Sequence, residues 1–233
     1  MDSQRYTTKA ILATFLSVAS LVSAAPFEAR GAIGSSAGFR LIATVVDSSK
    51  KLSVPIEGAA LQGAHVGAGL NTAVLNATTA GQIFYQNGTT EDVRAGKSNI
   101  LTDEGTPLYP YGLGLPLNET DPTSPVVASI NGGSGTLGVS LEATTSLTPG
   151  VLHYGIAGFM ACDEALAYYG PSWKFAVVKA FETTKEAPVI PENCVQINLH
   201  PLCATLPTLP AGSYSSHKFA NEVFCYADAA DIK

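Results

Sequence analysis

The glycine-rich segment GGSGTLG at 132–138 is the first pattern in the sequence with a recognisable chemical use. Gly133, Gly135 and Gly138 have the G-x-G-x-x-G spacing of loops that hold a dinucleotide pyrophosphate. Such a loop needs a strand before it, a helix N-terminus after it and an acidic residue about 20 positions later. The run PVVASI before the loop indicates a strand, but VSLEATTSL after it indicates another strand, and no carboxylate follows at the required distance. We therefore predict a glycine-rich hairpin and no cofactor.

A second pattern, GSSAG from Gly34 to Gly38, has the G-x-S-x-G spacing of a hydrolase nucleophile. That motif requires a strand before the serine and a helix after it. Here the order is reversed, because the strand-like run FRLIATVV follows the motif. We interpret the segment as part of a flexible lead into the domain.

The remaining ionisable residues form no constellation that the sequence alone identifies as catalytic. The four histidines stand far apart, and adjacent carboxylates occur in three places, at Glu91 and Asp92, Asp103 and Glu104, and Asp163 and Glu164. A glycosidase needs two carboxylates that converge from different elements, and neighbours in turns do not show this. We interpret these pairs as solvated charges or helix caps, predict that the protein is not an enzyme, and assign no catalytic, cofactor-binding or metal-binding residue.

Aromatic residues suggest a binding function instead. Trp173, Tyr109 and Tyr111 are candidates for a platform on which a sugar stacks. Aromatic residues at strand spacing also commonly belong to a core. Both interpretations remain open at the level of the sequence.

The elements that must position these residues are short strands separated by turns. Seven runs rich in β-branched and aromatic residues are bounded by Gly, Pro, Asn or Ser, at 39–46, 81–86, 125–130, 136–143, 151–162, 173–181 and 194–199. One segment, Cys162 to Tyr169, has the pattern of a helix, with acidic residues in its first turn and Gly170 after it. We predict an all-β fold: a single antiparallel β-sandwich or barrel with long Gly/Pro-rich loops and at most one short helix.

The N-terminus has the pattern of a secretory signal peptide. Arg5 and Lys9 precede the apolar run AILATFLSVASLVSA, which ends in small residues suited to cleavage after Ala24. We therefore expect a signal peptide at 1–24, a flexible lead at 25–36 and one β-rich domain at 37–233. The protein would be secreted, without a membrane anchor. Removing 1–24 leaves 18 acidic and 11 basic residues, since the 19 and 13 of the full chain lose Asp2, Arg5 and Lys9. This acidic balance argues against a nucleic-acid partner.

Three N-x-T sequons, at Asn76, Asn87 and Asn118, predict N-glycosylation of the secreted chain. Each lies in or beside a turn-like stretch. The low content of charged residues, 14%, is consistent with a surface that relies on Ser, Thr, Asn and glycans.

Four cysteines, Cys162, Cys194, Cys203 and Cys225, lie in the C-terminal third. An even number in an oxidising compartment predicts two disulfides. Three pairings are possible. We favour Cys162 with Cys194 and Cys203 with Cys225, because each closes a loop of a few tens of residues and the second anchors the Pro-rich segment around LHPLCATLPTLPAG.

The order of several short motifs resembles a known group of proteins. HVGAGLNTAVL, GQIFYQNGT, INGGSGTLG, LHYGIAGFMAC with PSWKFAV, ENCVQI and FCYA follow one another as in phiA-type cell-wall proteins of filamentous fungi and related secreted fungal proteins of an uncharacterised domain type. The resemblance matches Cys162, Cys194 and Cys225 to family cysteines and Trp173 to the family tryptophan. Cys203 lies in an added Pro-rich segment, and an early family cysteine is absent here.

The resemblance implies a secreted, non-enzymatic protein of the fungal cell wall, with a role in wall integrity and in conidiation, that is, in phialide and conidium development. Some members are allergens. The implied partners are wall polysaccharides or wall proteins. A secreted carbohydrate-binding or effector-type module is the alternative, and a secreted hydrolase is a third.

Overall fold

The computed structural model describes residues 33–121, 124–141, 149–183 and 189–233. The predicted signal peptide lies outside these residues. The strands are β1 Ile33–Ser36, β2 Gly38–Val45, β3 Ala60–Gly67, β4 Leu70–Asn76, β5 Phe84–Asn87, β6 Asn99–Glu104, β7 Tyr109–Gly114, β8 Val126–Val127, β9 Ser129–Gly132, β10 Val139–Leu141, β11 Leu152–Tyr154, β12 Ala157–Ala165, β13 Lys174–Glu182, β14 Cys194–Ala204, β15 Ala220–Asn221 and β16 Val223–Tyr226. Each of the seven predicted strand runs overlaps at least one of these strands.

The predicted all-β class is confirmed, and of the two predicted architectures the chain adopts the barrel. Nine antiparallel strands close a ring in the order β14, β12, β13, β4, β9, β7, β6, β5 and β2, and β2 pairs again with β14. The closing contact is long, because Gly38–Val45 pairs with Ile197–Ala204 over its whole length. β3 lies between β2 and β4, and β10 and β11 form a separate hairpin.

Alternating residues of these strands fill the barrel. On β2, Phe39, Leu41 and Ala43 are fully buried in the main core, and Ile197 and Leu199 of β14 pack in the same cluster. This period of two is expected where one face of each strand is buried. The alternation determines which side chains of every strand lie inside and which lie on the outer surface.

The predicted helix from Cys162 to Tyr169 is wrong. Cys162–Ala165 is the end of β12, which pairs with β13 on one side and β14 on the other. Only Ala167–Tyr169 turns, as a short 3-10 helix. The acidic residues that suggested a first helical turn have tertiary partners instead: Glu164 forms an ion pair with Lys179 of β13 at 2.5 Å, and Asp163 accepts from the Ser53 N–H at 2.6 Å.

Among the described residues, one α-helix, α1 Thr90–Arg94, lies between β5 and β6. A reciprocal capping box starts it: the Thr89 hydroxyl accepts from the Asp92 N–H, and the Asp92 carboxylate accepts from the Thr89 N–H. The interpretation of Asp92 as a helix cap is correct. No helix in the described ranges is long and apolar enough to cross a membrane.

The end of the segment predicted as a flexible lead is a strand. β1 pairs with β16 through four residues, Ile33 to Ser36. Ser35 donates to the Glu222 carboxylate at 2.6 Å, and Ser36 donates to the Ala204 carbonyl at 2.8 Å. The serines of GSSAG are therefore tied into sheet contacts rather than presented on a strand-to-helix elbow.

The glycine loop at 132–138 is not a hairpin, contrary to our prediction. β9 pairs with β4 and β7, whereas β10 pairs with β11, so the loop connects two different sheets. Gly133, Gly135 and Gly138 all have positive φ. Gly135 also permits close packing, because a Cβ there would lie 2.6 Å from the Leu113 carbonyl oxygen, whereas a Cβ on Gly133 would meet nothing within 4 Å.

Several N–H groups of this loop already have partners within the fold. Gly133 donates to the Pro110 carbonyl, Thr136 to Leu113 and Gly138 to Ser98, at 2.7 to 3.0 Å. A phosphate-binding loop must instead direct such groups at its ligand. The loop thus packs against β7.

Candidate functional site

The adjacent residues Asp103 and Glu104 at the end of β6 point to opposite sides of the sheet. Ile100, which lies four residues before Glu104 on the same strand, is in the barrel core. Strand alternation therefore directs Glu104 towards the interior end of the barrel and Asp103 outwards. The interpretation of this pair as solvated charges is wrong for Asp103, whose side chain is only 8% exposed. Each carboxylate organises a separate polar cluster.

The outer cluster joins Asp103 to His217 and Tyr85. Asp103 Oδ2 lies 2.6 Å from His217 Nε2, and the Tyr85 hydroxyl donates to Oδ1 at 3.2 Å. The Tyr85 and His217 rings meet edge to face with their centroids 4.8 Å apart. Burial, with the nearby Asp103 charge, raises the pKa of Tyr85 well above its usual range. Tyr85 therefore stays a protonated hydrogen-bond donor.

A catalytic triad would add a nucleophile to such an aspartate and histidine. The neighbouring serines do not complete a triad: Ser213 donates to the Leu108 carbonyl, Ser216 Oγ accepts from the Lys218 N–H, and the buried Ser215 hydroxyl has no partner among the described residues. No serine hydroxyl in these ranges bonds to His217. The outer cluster therefore links β5 and β6 to the connection between β14 and β15, which we call the C-terminal connection.

The inner cluster holds Glu104 between two amides. Asn71 Nδ2 donates to Oε2 at 2.9 Å, and Gln82 Nε2 donates to Oε1. Gln82 is itself oriented by the Gly63 N–H, which donates to its Oε1 at 2.9 Å. Burial raises the pKa of Glu104, although the two amide hydrogen bonds and the nearby His65 oppose that shift.

Aromatic rings continue from His65 away from this cluster. His65 and Tyr168 are 5.3 Å apart, Tyr168 and Tyr169 are 5.3 Å apart, and Tyr169 and Phe175 are 4.9 Å apart between ring centroids. We call these four residues, together with Trp173 on the same β12–β13 connection, the aromatic ridge. Tyr168 is 59% exposed and Trp173 is 66% exposed. Exposed apolar surface of this kind usually marks a contact site.

The predicted stacking residues do not form one platform. Trp173 belongs to the aromatic ridge, whereas Tyr109 pairs with Tyr214 at a centroid distance of 5.8 Å. No ring contact joins Trp173 to Tyr109 in the described part of the chain. Tyr111 is half-buried and packs against the main core. Tyr111 therefore belongs to the core, whereas Trp173 and Tyr109 are exposed aromatic residues.

The cysteines form the pairing that we favoured. Cys162 is bonded to Cys194, its direct cross-strand partner, and Cys203 to Cys225. The first links β12 to β14 and the second links β14 to β16. Two disulfides are typical of proteins that fold outside the reducing cytosol, which is consistent with an extracellular protein.

The three sequons differ in their surroundings. Asn76 and Asn118 stand at exposed turns, where each side-chain oxygen accepts from the hydroxyl of its own sequon threonine at 2.8 Å. Asn87 lies within β5 between β6 and β15, and its Nδ2 donates to Asn99 at 3.1 Å. The glycan-accepting nitrogen of Asn87 is thus already engaged inside the sheet.

Among the histidines, His200 is buried on β14. Its Nε2 lies 3.0 Å from the Thr44 hydroxyl, and its Nδ1 has no partner among the described residues. Burial lowers the pKa of His200 from its usual value of 6.5, against a smaller opposing effect of Glu57. Within the described ranges, no group of three or more His, Cys, Asp or Glu residues is arranged to hold a metal ion.

The inner cluster escaped prediction because its members come from distant segments, whereas the ridge residue Trp173 was among the predicted stacking residues. Asn71, Gln82 and Glu104 carry no common motif, and only register brings them together. The alternation of β6 would have placed Asp103 and Glu104 on opposite faces, had NILTDE been identified as a strand.

The sequence is similar to a known protein family and to a fungal antigenic protein. Residues 36–203 match the family described as a domain of unknown function, DUF7907. The chain is 36% identical over 212 residues to the antigenic protein SchS34 of Stachybotrys chartarum, across 86% of this chain and 90% of that relative. No solved structure matches the chain. The matched residues include the first disulfide and, except for Ala204, the nine strands of the barrel. This chain therefore belongs to the DUF7907 family of proteins.

Proposed function

We propose that this protein is a secreted, glycosylated, non-enzymatic component of the fungal cell surface that binds wall polysaccharide through the aromatic ridge. The observation that carries the proposal is the exposure of Tyr168 and Trp173 on the β12–β13 connection, with the Tyr168 ring against His65, which lies near Glu104. A pyranose ring presents an apolar face and a rim of hydroxyls. Exposed aromatic rings suit that face, and planar amides and carboxylates suit those hydroxyls.

The non-enzymatic part of the proposal is supported by how the carboxylates are used. Both oxygens of Glu104 accept hydrogen bonds from amides, and Asp103 lies on the other face of β6 with His217. Hydrolysis of a glycosidic bond requires two carboxylates across one cleft. The two carboxylates at the end of β6 are not disposed in that way.

The cellular role rests on resemblance. The order of short motifs is similar to that of phiA-type wall proteins, which implies a part in wall integrity and conidiation. The relative from Stachybotrys chartarum is an antigenic protein, and this supports an extracellular location for the present chain. Two disulfides support the same location.

Fractionation of the producing fungus tests the location. Culture medium, detergent extract, reductant extract and glucanase-released wall protein are compared by immunoblotting, with and without enzymatic deglycosylation. We expect the protein in the wall fractions, with a mobility shift on deglycosylation. Recovery from the medium alone would overturn the wall assignment.

Sedimentation with insoluble chitin and β-1,3-glucan tests the binding site. Trp173→Ala and Tyr168→Ala are compared with Tyr214→Ala, which removes an equally exposed aromatic ring from the other aromatic pair. We expect each ridge variant to weaken binding about tenfold, roughly the effect of one aromatic stacking contact, and the control to bind normally. Equal loss in all three variants, or no binding of the native protein to either polymer, would contradict the proposal.

A further inference from the structure

The long connection between β2 and β3 forms an open cavity. Its volume is about 440 Å³, and its walls are Val45, Ser48 and residues 50–57. Ile56 is buried in the main core, and Leu52 and Val54 pack against that core while remaining half-buried. The lining is therefore mostly aliphatic, and its size lies within the range of small-molecule sites.

Hydrogen bonds to the barrel hold this connection in place. The Val45 N–H donates to Glu57 Oε2 at 2.8 Å, and the Ser53 N–H donates to Asp163 Oδ2 at 2.6 Å. The Gly58 N–H donates to the Ala43 carbonyl at 2.9 Å. The cavity is thus formed without a ligand, which reduces the ordering cost of binding.

The charges on the lining favour an anion. Lys50 and Lys51 are exposed and belong to the cavity wall. The ion pairs among the described residues are Glu164–Lys179 and Asp103–His217, so neither lysine belongs to one. Two carboxylates lie nearby: Glu57 accepts from the Val45 N–H, and Asp47 accepts from Ser49, whose hydrogen bonds lower the Asp47 pKa together with a smaller effect of the Lys50 charge. Because Lys50 and Lys51 line the cavity with Glu57 as the one acidic residue, the lining has an excess of one positive charge.

From these features we infer that the cavity binds an amphipathic carboxylate, namely a free medium-chain fatty acid. Its hydrocarbon chain lies against Leu52, Val54 and Ile56, and its carboxylate faces Lys50 and Lys51. This inference is independent of the polysaccharide site, because the lining residues at 45–57 share no member with the aromatic ridge.

Calorimetric titration of the full secreted protein with hexanoate, octanoate and decanoate tests the aliphatic wall. Burial of each added CH₂ group is expected to lower Kd about fourfold. Decanol and decylamine keep the chain but remove or reverse the head-group charge. We expect decanoate to bind at least about tenfold more tightly than either, as an ion pair at a partly desolvated site predicts.

The variant Lys50→Ala/Lys51→Ala tests the head group, with Lys97→Ala as a matched exposed-lysine control. The double variant is expected to lose about tenfold in decanoate affinity while its affinity for decanol is unchanged; the control keeps native affinity for both. Amide hydrogen exchange on the native protein should slow at 48–57 when decanoate is present. Affinity without chain-length dependence, equal binding of decylamine, or unchanged affinity in the double variant would each overturn the inference.

Discussion

Asp103 and His217 are 114 residues apart in the chain, yet Asp103 Oδ2 and His217 Nε2 lie 2.6 Å apart on the outer face of β6. The contact fastens the C-terminal connection to the barrel, and the Tyr214 N–H reinforces it by donating to the Leu108 carbonyl at 2.8 Å. A largely buried carboxylate needs such partners, because leaving it unpaired costs free energy.

We expect His217→Ala to lower the free energy of unfolding by about 1–3 kcal/mol, because it leaves Asp103 with the Tyr85 hydroxyl as its remaining partner. Urea denaturation followed by circular dichroism measures this. Lys218→Ala serves as the control, since its ammonium lies over the Phe219 ring at 5.1 Å on the surface. An unchanged midpoint in His217→Ala would show that the contact contributes no stability.

The two disulfides should protect different strands of the sheet from amide hydrogen exchange. Cys203→Ala/Cys225→Ala is expected to cost about 3 kcal/mol, by the loop-closure entropy of its 22-residue separation. It should also speed amide exchange at Ile33–Ser36, because β1 pairs with the strand that Cys225 anchors. Cys162→Ala/Cys194→Ala is the matched control and should leave β1 protected. Identical exchange maps for the two variants would contradict this assignment.

Glycan occupancy should differ among the sequons. Asn76→Gln and Asn118→Gln should each remove one glycan-sized step in gel mobility, whereas Asn87→Gln should not, because its Nδ2 is engaged with Asn99 within the sheet. Immunoblots of the secreted variants, before and after deglycosylation, measure the steps. A mobility step for Asn87→Gln would mean that glycosylation precedes formation of β5.

His200 should make stability depend on pH. Since burial lowers its pKa in the folded protein, the unfolded chain binds the proton more readily. Its contribution is fully present above about pH 6.5 and decreases as the pH falls below that value, at up to about 1.4 kcal/mol per pH unit.

His200→Gln removes that titration while placing a hydrogen-bonding amide near Thr44. The free energy of unfolding of the native protein minus that of the variant should therefore decrease between about pH 7 and pH 5. Urea denaturation of both proteins at several pH values gives this difference. A difference that stays constant with pH would rule out His200 as the responsible group.

The glycine loop can be tested by comparing two alanine substitutions. Gly96 and Gly135 have φ of +62° and +67°, but an added Cβ meets nothing within 4 Å at Gly96 and lies 2.6 Å from the Leu113 oxygen at Gly135. Gly96→Ala should cost about 1 kcal/mol from backbone strain, and Gly135→Ala about 2 kcal/mol more from crowding. Equal losses in urea denaturation would mean that the close approach to β7 is unimportant.

Local patterns identified some strands and missed others for a physical reason. β2 and β13 are rich in β-branched and aromatic residues, and their sequences predict strands directly. β3, ALQGAHVG, lacks that signal because close packing needs small residues there: a Cβ on Gly63 would lie 2.9 Å from Asn71 Cβ. β6 and β7 were missed because they carry Asp, Glu, Pro and Gly. At Cys162–Ala165, pairing with β13 along the whole segment and with β14 at Cys162 outweighed the helical pattern.

The sequence by itself determined the all-β class, the presence of four cysteines able to form two disulfides and the glycines that accept positive φ, because these follow from composition and local conformational preference. Only the tertiary structure decided that the sheet closes into a barrel, that Asp103 meets His217 while Glu104 meets Asn71 and Gln82, and that Tyr168 joins His65. Those contacts depend on strand register between distant segments, and a shift of one residue would exchange the two faces of β6.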